Sequence, residues 1–196
     1  EALSKMSVDL KVSIPVGKDS LSMKTKWSDN GNELEVTSPL SGVITAMAPV
    51  EDLTVSVTPE LNLEEDSEIL LVKLNNKNRL AGSIFSEVTE SQYRDAPDID
   101  DSVQFKIMFE AIQDIIKDQK ILALHDISDG GLITALLEMC FTKKIGMKLN
   151  LNGPNDINEE LFSEEIGLTL QVKKDLVEQI KNSLIQKNIY VEQIAT

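Results

Sequence analysis

Residues 121–141 read ILALHDISDGGLITALLEMCF, and the pattern changes within this stretch from that of a strand to that of a helix. Residues 121–125 form a short apolar run typical of a buried strand. From about residue 130 to residue 143, apolar residues recur at helical spacing, as in a helix that packs one face on a sheet. That face holds Leu132, Ile133, Leu136, Leu137 and Cys140. The stretch therefore predicts a strand that runs directly into a helix.

The segments around this junction predict the remaining elements. Alternating apolar residues at 8–16 predict a half-buried strand that leaves the sheet near Pro15, which has no N–H to donate. Residues 34–48 predict one long strand or two short ones, interrupted at Ser38 and Pro39. Further strands are predicted at 68–74, 80–86, 146–151, 165–172 and 189–193, and further helices at 102–118 and 173–187.

The order of these elements predicts the fold class. Strands come first and helices then alternate with strands, which indicates an α+β fold with a mixed β-sheet and helices packed on it. Asp100 and Asp101 suit the N-terminus of the helix at 102–118. The polar stretch at 25–35 is a candidate domain boundary.

Composition narrows the classes of function. The 196 residues carry a formal net charge of −14, which disfavours general binding to nucleic acid but is compatible with a nucleotide site bridged by Mg²⁺. The single cysteine cannot form an internal disulfide, and no apolar run is long enough for a membrane span. A cytoplasmic protein is expected. Both ends look cut, so we also expect a piece of a longer polypeptide.

The sequence HDISDGG at residues 125–131 is the first candidate site. The N–H groups at the start of a helix attract anions, and glycines allow a ligand or another backbone to come close. Asp126 and Asp129 have the chemistry to hold Mg²⁺, and Ser128 can donate to a phosphate oxygen. The alternative is a plain helix cap made by Ser128 or Asp129, with His125 bonded to a backbone group.

Two further segments are weaker candidates. Gly17, Lys18 and Ser20 follow the first predicted strand, and the lysine stands out in an acidic chain as a partner for phosphate. The alternative is a turn followed by a solvated strand face. Glu164 and Glu165 precede a predicted strand, where a solvated position is the alternative to a functional one.

Several segments together resemble the large, single-chain form of phosphoribosylformylglycinamidine synthase. They are IPVGKDSLSMKTKW, TSPLSGVITAMAPVEDLTVSVTPEL, APDIDD, LALHDISDGGLITALLEMCF and LFSEEIGLTLQV, in that order. The resemblance implies the C-terminal domain of the aminoimidazole ribonucleotide synthetase-like superfamily over residues 31–196, truncated at its end. It also implies that residues 1–30 close the preceding ATP-binding-type domain.

The resemblance also implies an activity and its residues. The family is an ATP-dependent carbon–nitrogen ligase with glutamine as amido donor, and it converts formylglycinamide ribonucleotide to formylglycinamidine ribonucleotide in purine synthesis. Asp126 matches a Mg²⁺ ligand, Ser128 and Gly17 match nucleotide contacts, and Ser20 and Lys18 match the substrate loop. Lys18 replaces an asparagine that is a metal ligand in the small-subunit form. No residue of the chain matches a catalytic group.

The expected cofactors are Mg²⁺ and ATP or ADP, and the expected partners are a small nucleotide substrate and the remaining synthetase and glutaminase domains. The isolated chain is predicted to be inactive. Two alternatives remain: a structural half that holds a permanently bound nucleotide, and a free-standing nucleotide-binding module. Apolar surface left without neighbours would favour a homodimer of the isolated chain.

Overall fold

The computed structural model describes residues 2–18, 23–39, 41–50, 52–151 and 156–195. The chain forms two compact units, residues 1–51 and residues 52–196. The division lies later than the boundary predicted at 25–35. That stretch instead contains a hairpin, described next. The assignment of residues 1–30 and 31–196 to two domains of a larger enzyme stays a prediction.

The first unit contains helix α1 (Ala2–Leu10) and the antiparallel strands β1 (Lys24–Asp29) and β2 (Asn32–Thr37). Asn30 and Gly31 join the strands with φ values of 50° and 84°. Both values lie in the left-handed region that a two-residue hairpin turn of this kind requires. The polar stretch is therefore a turn between two paired strands.

Two strand predictions fail in the first unit. The strand predicted at 8–16 is wrong, because helix α1 covers its first residues and residues 12–18 lie outside helices and strands. Most of its alternating apolar side chains are exposed, including Val8 at 73% and Val16 at 83%, and within the described residues no strand pairs with this segment. An unpaired alternating sequence has no ladder for its backbone groups. The strand predicted at 34–48 ends at Thr37.

The second unit is built on a four-stranded sheet with the spatial order β4-β5-β3-β6. The strands are β3 (Ser67–Lys73), β4 (Ile121–Ile127), β5 (Gly167–Lys173) and β6 (Tyr190–Ala195). Every pairing is antiparallel, so the α+β class is confirmed while the sheet is not mixed. The helices are α2 (Ile84–Val88), α3 (Ser102–Lys117), α4 (Gly131–Phe141), α5 (Ile157–Phe162) and α6 (Val177–Ile185).

Alternate residues of β3 point to two separate apolar clusters. Leu70 and Val72 pack with the buried faces of α3 and α6, whereas Ile69 and Leu71 pack with the buried face of α4. Because successive strand residues face opposite sides of a sheet, α3 and α6 cover one face and α4 covers the other. Cys140 of α4 is buried, as predicted, and burial raises the pKa of its thiol.

Two strand predictions in this unit are also wrong. Residues 80–86 form a turn and the start of α2, because Gly82 has a φ of 74° and the Ser83 hydroxyl accepts the Ser86 N–H at the helix start. Residues 146–151 make a single bridge, from Leu149 to Ala195. The remaining predicted strands and helices are confirmed within a few residues. None of the helices in the described part of the chain has the length and hydrophobicity that a membrane crossing requires.

Candidate nucleotide loop between β4 and α4

The loop between β4 and α4 reverses the chain over Ser128 to Gly130, and the Gly131 N–H donates to the Ser128 carbonyl at 3.0 Å. Gly130 is the N-cap residue of α4, with a φ of 85°, and it has no side chain to cap the helix. The helix start predicted near residue 130 is confirmed. The predicted alternative, a cap made by Ser128 or Asp129, is wrong, because the cap comes from elsewhere.

Glu164 supplies that cap from the segment before β5. One of its carboxylate oxygens, Oε1, accepts the Gly130 N–H at 2.8 Å and the Ile84 N–H at 2.9 Å. A negative charge at the start of a helix is stabilised by the free N–H groups and the helix dipole. The carboxylate therefore occupies the kind of position that an anionic ligand takes at a helix start, and it connects the loop to the start of α2.

The two glycines of the loop serve packing within the protein. A Cβ on Gly131 would lie 2.6 Å from the carbonyl carbon of Phe162 and 2.8 Å from the Leu161 carbonyl oxygen. A Cβ on Gly130 would overlap the side chain of Thr134, whose hydroxyl donates to the Gly130 carbonyl at 3.1 Å. Of the two alternatives that the sequence left open, the close approach of another backbone is what the structure contains.

The polar side chains of the loop differ in their surroundings. Asp126, Ser128 and Asp129 are exposed, and the Asp126 side chain keeps 69% of its surface. His125 is only 15% exposed, with Nδ1 lying 2.7 Å from the Asp126 carbonyl and Nε2 lying 2.7 Å from Glu138 Oε2 on α4. His125 thus fastens the strand to the helix, while Asp126 and Ser128 are accessible to a ligand.

The side chains near the loop can supply only part of the ligands that a magnesium ion needs. Among the described residues there is no group of three or more histidine, cysteine or acidic side chains that could hold a metal ion. Magnesium in nucleotide sites commonly takes one or two carboxylates together with phosphate oxygens and water. The exposed carboxylate of Asp126 fits as one such ligand, and these residues do not form a metal site without a bound phosphate.

Known protein families and solved structures resemble this chain. A protein-family model matches residues 64–196, and the family is described as AIR synthase related protein, C-terminal domain. The chain belongs to this family. A second family model, described as FGAR-AT PurM_N-like domain, matches residues 1–49. Each match falls within one of the two compact units.

Solved structures with the same fold include PurL from Thermotoga maritima. The complex with FGAR matches 98% of this chain with 13% identity and a TM-score of 0.60, and the complex with ATP matches 83% with 14% identity and a TM-score of 0.58. A structure of phosphoribosylformylglycinamidine synthase II from the same organism has 13% identity and a TM-score of 0.54. These identities establish the fold. The chain spans only 32%, 24% and 24% of the three proteins, respectively.

Within this AIR synthase related domain, an ion-pair network lies beside the Glu164 cap. Arg79 donates through Nε to Glu165 and through Nη2 to the other Glu165 oxygen at 2.8 Å, and it also bonds Asp100 at 3.1 Å. Glu165 is 4% exposed, and its hydrogen bond raises the pKa of the Arg79 guanidinium. The hydrogen bond from Lys77 is the main reason that the pKa of Asp100 is lowered.

Sequence reasoning named Glu164 and Glu165 as weak candidates and missed Arg79. The available signal was that Arg79 is one of only two arginines in a chain whose other basic residues are lysines. Arginine suits a buried pair with a carboxylate because its planar group makes two parallel hydrogen bonds. The network fixes the backbone around Glu164, since the Ser163 hydroxyl also donates to the Arg79 carbonyl at 3.1 Å.

A cavity of about 720 Å³ borders the same network. Its lining contains the cations Lys77, Arg79 and Arg94, and the acidic residues Asp95, Asp98 and Glu159. Because the opposite charges are equal in number, the lining of the cavity carries no net charge that would favour an anion.

The second candidate loop lies in the first unit. Gly17 and Lys18 are exposed and belong to the segment that follows α1, whereas Ser20 lies outside the described residues. No hydrogen bond or ion pair within the described residues fixes the Lys18 side chain, so its role in phosphate binding stays a prediction.

Proposed function

We propose that this chain is an interior segment of a large, single-chain phosphoribosylformylglycinamidine synthase. In that enzyme, an ATP-dependent carbon–nitrogen ligase, the amide oxygen of the formylglycinamide ribonucleotide is phosphorylated and ammonia from glutamine then displaces the phosphate. The family match over residues 64–196 supports this proposal. So does the position of Asp126 and Ser128, which are exposed at a strand-to-helix junction.

The loop contributes binding and orientation. Asp126 supplies a carboxylate oxygen to a magnesium ion on the nucleotide, and magnesium supplies positive charge that offsets the charge of the phosphates. Ser128 donates its hydroxyl to a nucleotide oxygen. In the first unit, Gly17 contributes a nucleotide contact, and Ser20 and Lys18 contribute substrate contacts. Cys140 is not a nucleophile, because it is 5% exposed and burial raises the pKa of its thiol.

The experiment uses the full-length polypeptide that carries this segment. Asp126→Asn and Ser128→Ala are compared with Asp175→Asn, which removes an exposed aspartate before α6 on the other face of the sheet. Formation of the amidine product is measured against the concentrations of ATP, glutamine and Mg²⁺. We expect Asp126→Asn to raise the Mg²⁺ requirement by about tenfold or more, and Asp175→Asn to leave it unchanged.

Equal Mg²⁺ dependence of Asp126→Asn and the wild-type enzyme would remove the proposed metal role. Absence of product formation by the wild-type polypeptide would remove the proposed function. The isolated 196-residue chain is expected to form no product even where the full-length enzyme is active.

A structural nucleotide is the second candidate, and the way the loop is fastened favours it. Glu164, His125 and Thr134 all hold the loop or its flanks in place, as a site that keeps its ligand permanently would require. Nucleotide extracted from the purified enzyme distinguishes the two roles. A structural nucleotide copurifies and does not exchange with labelled ATP during turnover, whereas a catalytic one exchanges.

A further inference from the structure

We infer that Glu164 is a positioning residue for the candidate nucleotide loop, an inference that rests on the proposed function. The N-cap residue of α4, Gly130, has no side chain that could accept an N–H group at the helix start. The carboxylate of Glu164 takes over that task. It lies 34 residues from Gly130 and 80 residues from Ile84 along the chain.

A single oxygen of Glu164 joins two backbone segments. Oε1 accepts one N–H from the start of α4 and one from the start of α2, at 2.8 Å and 2.9 Å. Hydrogen bonds to a carboxylate are stronger than those between neutral groups. A shift of the carboxylate therefore displaces the loop that carries Ser128 and that follows Asp126 at the end of β4.

The residues on either side of Glu164 in the sequence are both bonded to Arg79. Ser163 is 5% exposed and bonds the Arg79 carbonyl, and Glu165 pairs with the Arg79 guanidinium. Gly167, at the start of β5, approaches the Val72 carbonyl so closely that a Cβ there would lie 2.9 Å from it. The segment is therefore fixed by the central sheet, and its position is transmitted through Glu164 to the loop.

The bond to Gly130 also determines which groups face the ligand. A phosphate that used the Gly130 N–H would have to displace a carboxylate that already accepts it. The exposed side chains that remain for a nucleotide and its metal ion include those of Asp126, at the end of β4, and Ser128, in the loop. Glu164 thus holds the loop that carries Ser128 and adjoins Asp126, and it does not touch the nucleotide.

The test compares three substitutions of Glu164 in the full-length enzyme. Glu164→Ala removes both hydrogen bonds, and Glu164→Asp keeps the charge but is shorter by one methylene. Glu164→Gln keeps both the length and an acceptor oxygen. The matched control is Asp101→Ala, because Asp101 also accepts two N–H groups at a helix start, those of Val103 and Gln104, but on α3 across the sheet. For every variant, the KM for ATP, the amount of copurified nucleotide and the thermal midpoint are measured.

We expect Glu164→Ala and Glu164→Asp to raise the KM for ATP, or to reduce the copurified nucleotide, by about tenfold, as is common when the group that orients a binding residue is lost. Glu164→Gln should restore most of the wild-type value. Asp101→Ala should lower the thermal midpoint without changing either nucleotide measurement. If Glu164→Ala does not fold, the difference between Glu164→Asp and Glu164→Gln decides the same question.

The experiment distinguishes failure of the inference about Glu164 from failure of the proposed function. If the wild-type enzyme makes the product but the Glu164 variants match Asp101→Ala in KM and nucleotide content, Glu164 is only a structural cap and the inference is overturned alone. If the wild-type enzyme neither makes the product nor carries nucleotide, the proposed function fails, and the inference fails with it.

Discussion

Helices α3 and α4 lie on opposite faces of the same sheet, and they begin in different ways. At α3, the side chain of Asp101 accepts the N–H groups of Val103 and Gln104, both at 2.9 Å. At α4, Gly130 offers no side chain, and the Gly130 N–H is accepted by Glu164 from another segment. One helix start is completed locally, and the other only when the domain has folded.

The two helix starts also differ in the polar side chains that lie next to them. The start of α3 is capped by its own aspartate, which accepts the N–H groups of Val103 and Gln104. The start of α4 follows a loop with two exposed polar side chains, and its geometry depends on three segments that meet only in the folded domain. A local cap stabilises a helix, whereas a remote cap also makes the loop conformation depend on tertiary structure.

Gly131→Ala should have the largest effect on stability. The new Cβ would lie 2.6 Å from the Phe162 backbone, in a residue whose φ is 74°. The left-handed conformation and the overlap together should cost about 3 kcal/mol. The matched control is Gly82→Ala, which has the same φ of 74° but no atom within 4 Å. That variant should lose only about 1 kcal/mol. Urea denaturation of both variants measures the difference, and equal losses would show that the contact with α5 is unimportant.

Ile84→Pro tests the other bond to Glu164. Ile84 is the first residue of α2, where proline fits the helix geometry and removes the N–H together with the isoleucine side chain. The lost bond should cost about 1 kcal/mol and should raise the KM for ATP less than Glu164→Ala, because the bond to Gly130 remains. Ile84→Ala is the control, since it shortens a side chain that is 44% exposed and keeps the N–H. If Ile84→Ala and Ile84→Pro have the same KM, the α2 bond does not support the loop.

Substitutions at the start of α3 should change the stability of the protein but not its stabilisation by ATP. Asp101→Ala removes the oxygen that accepts both N–H groups and should cost about 1 kcal/mol, whereas Asp101→Asn keeps a good capping side chain and should cost only a few tenths. Thermal midpoints measured with and without ATP give the comparison. A change in the stabilisation by ATP for Asp101→Ala would show that the two helix starts are coupled across the sheet, contrary to the contrast drawn above.

The same contrast explains which parts of the molecule the sequence could predict. Helix α3 and its cap follow from neighbouring residues, so the spacing of apolar residues and the Asp100–Asp101 pair were sufficient. The strand and helix at 121–141 were predicted for the same reason. Glu164 was only a weak candidate, because nothing near it indicates that Gly130 and Ile84 will be its partners.

The failed strand and the unpredicted hairpin of the first unit have different physical origins. At 8–16 an alternating pattern predicts a strand, but alternation describes a face and does not supply a partner strand. At 30–31 the Asn-Gly pair is a strong signal for a two-residue hairpin turn, and the polar residues around it do not cancel that signal. The strand could be excluded only with tertiary information, whereas the hairpin could be predicted from the local sequence.

The smallest effect should appear in acid, at the residue just before the α3 cap. The hydrogen bond from Lys77 and the charge of Arg79 lower the pKa of Asp100, so its interactions favour the folded state when it is ionised. That stabilisation is complete above the unfolded pKa of about 3.9 and is lost as the pH falls through the lower folded value. Since Asp100 is 41% exposed, solvent screens the pairs, and Asp100→Asn should lower the thermal midpoint at pH 7 by only about 1 °C.

The wild-type protein and Asp100→Asn should converge in thermal midpoint once the pH is below the lowered folded pKa of Asp100, whereas the wild-type protein should be the more stable of the two at neutral pH. Asp175→Asn is the control, because Asp175 is an exposed aspartate beside α6. A difference for Asp100→Asn that stays constant from pH 7 to strongly acidic pH would show that the charge of Asp100 is not the cause. In that case Asp101 would be the one carboxylate of the pair whose charge acts at the start of α3, and the contrast with the remote cap of α4 would become sharper.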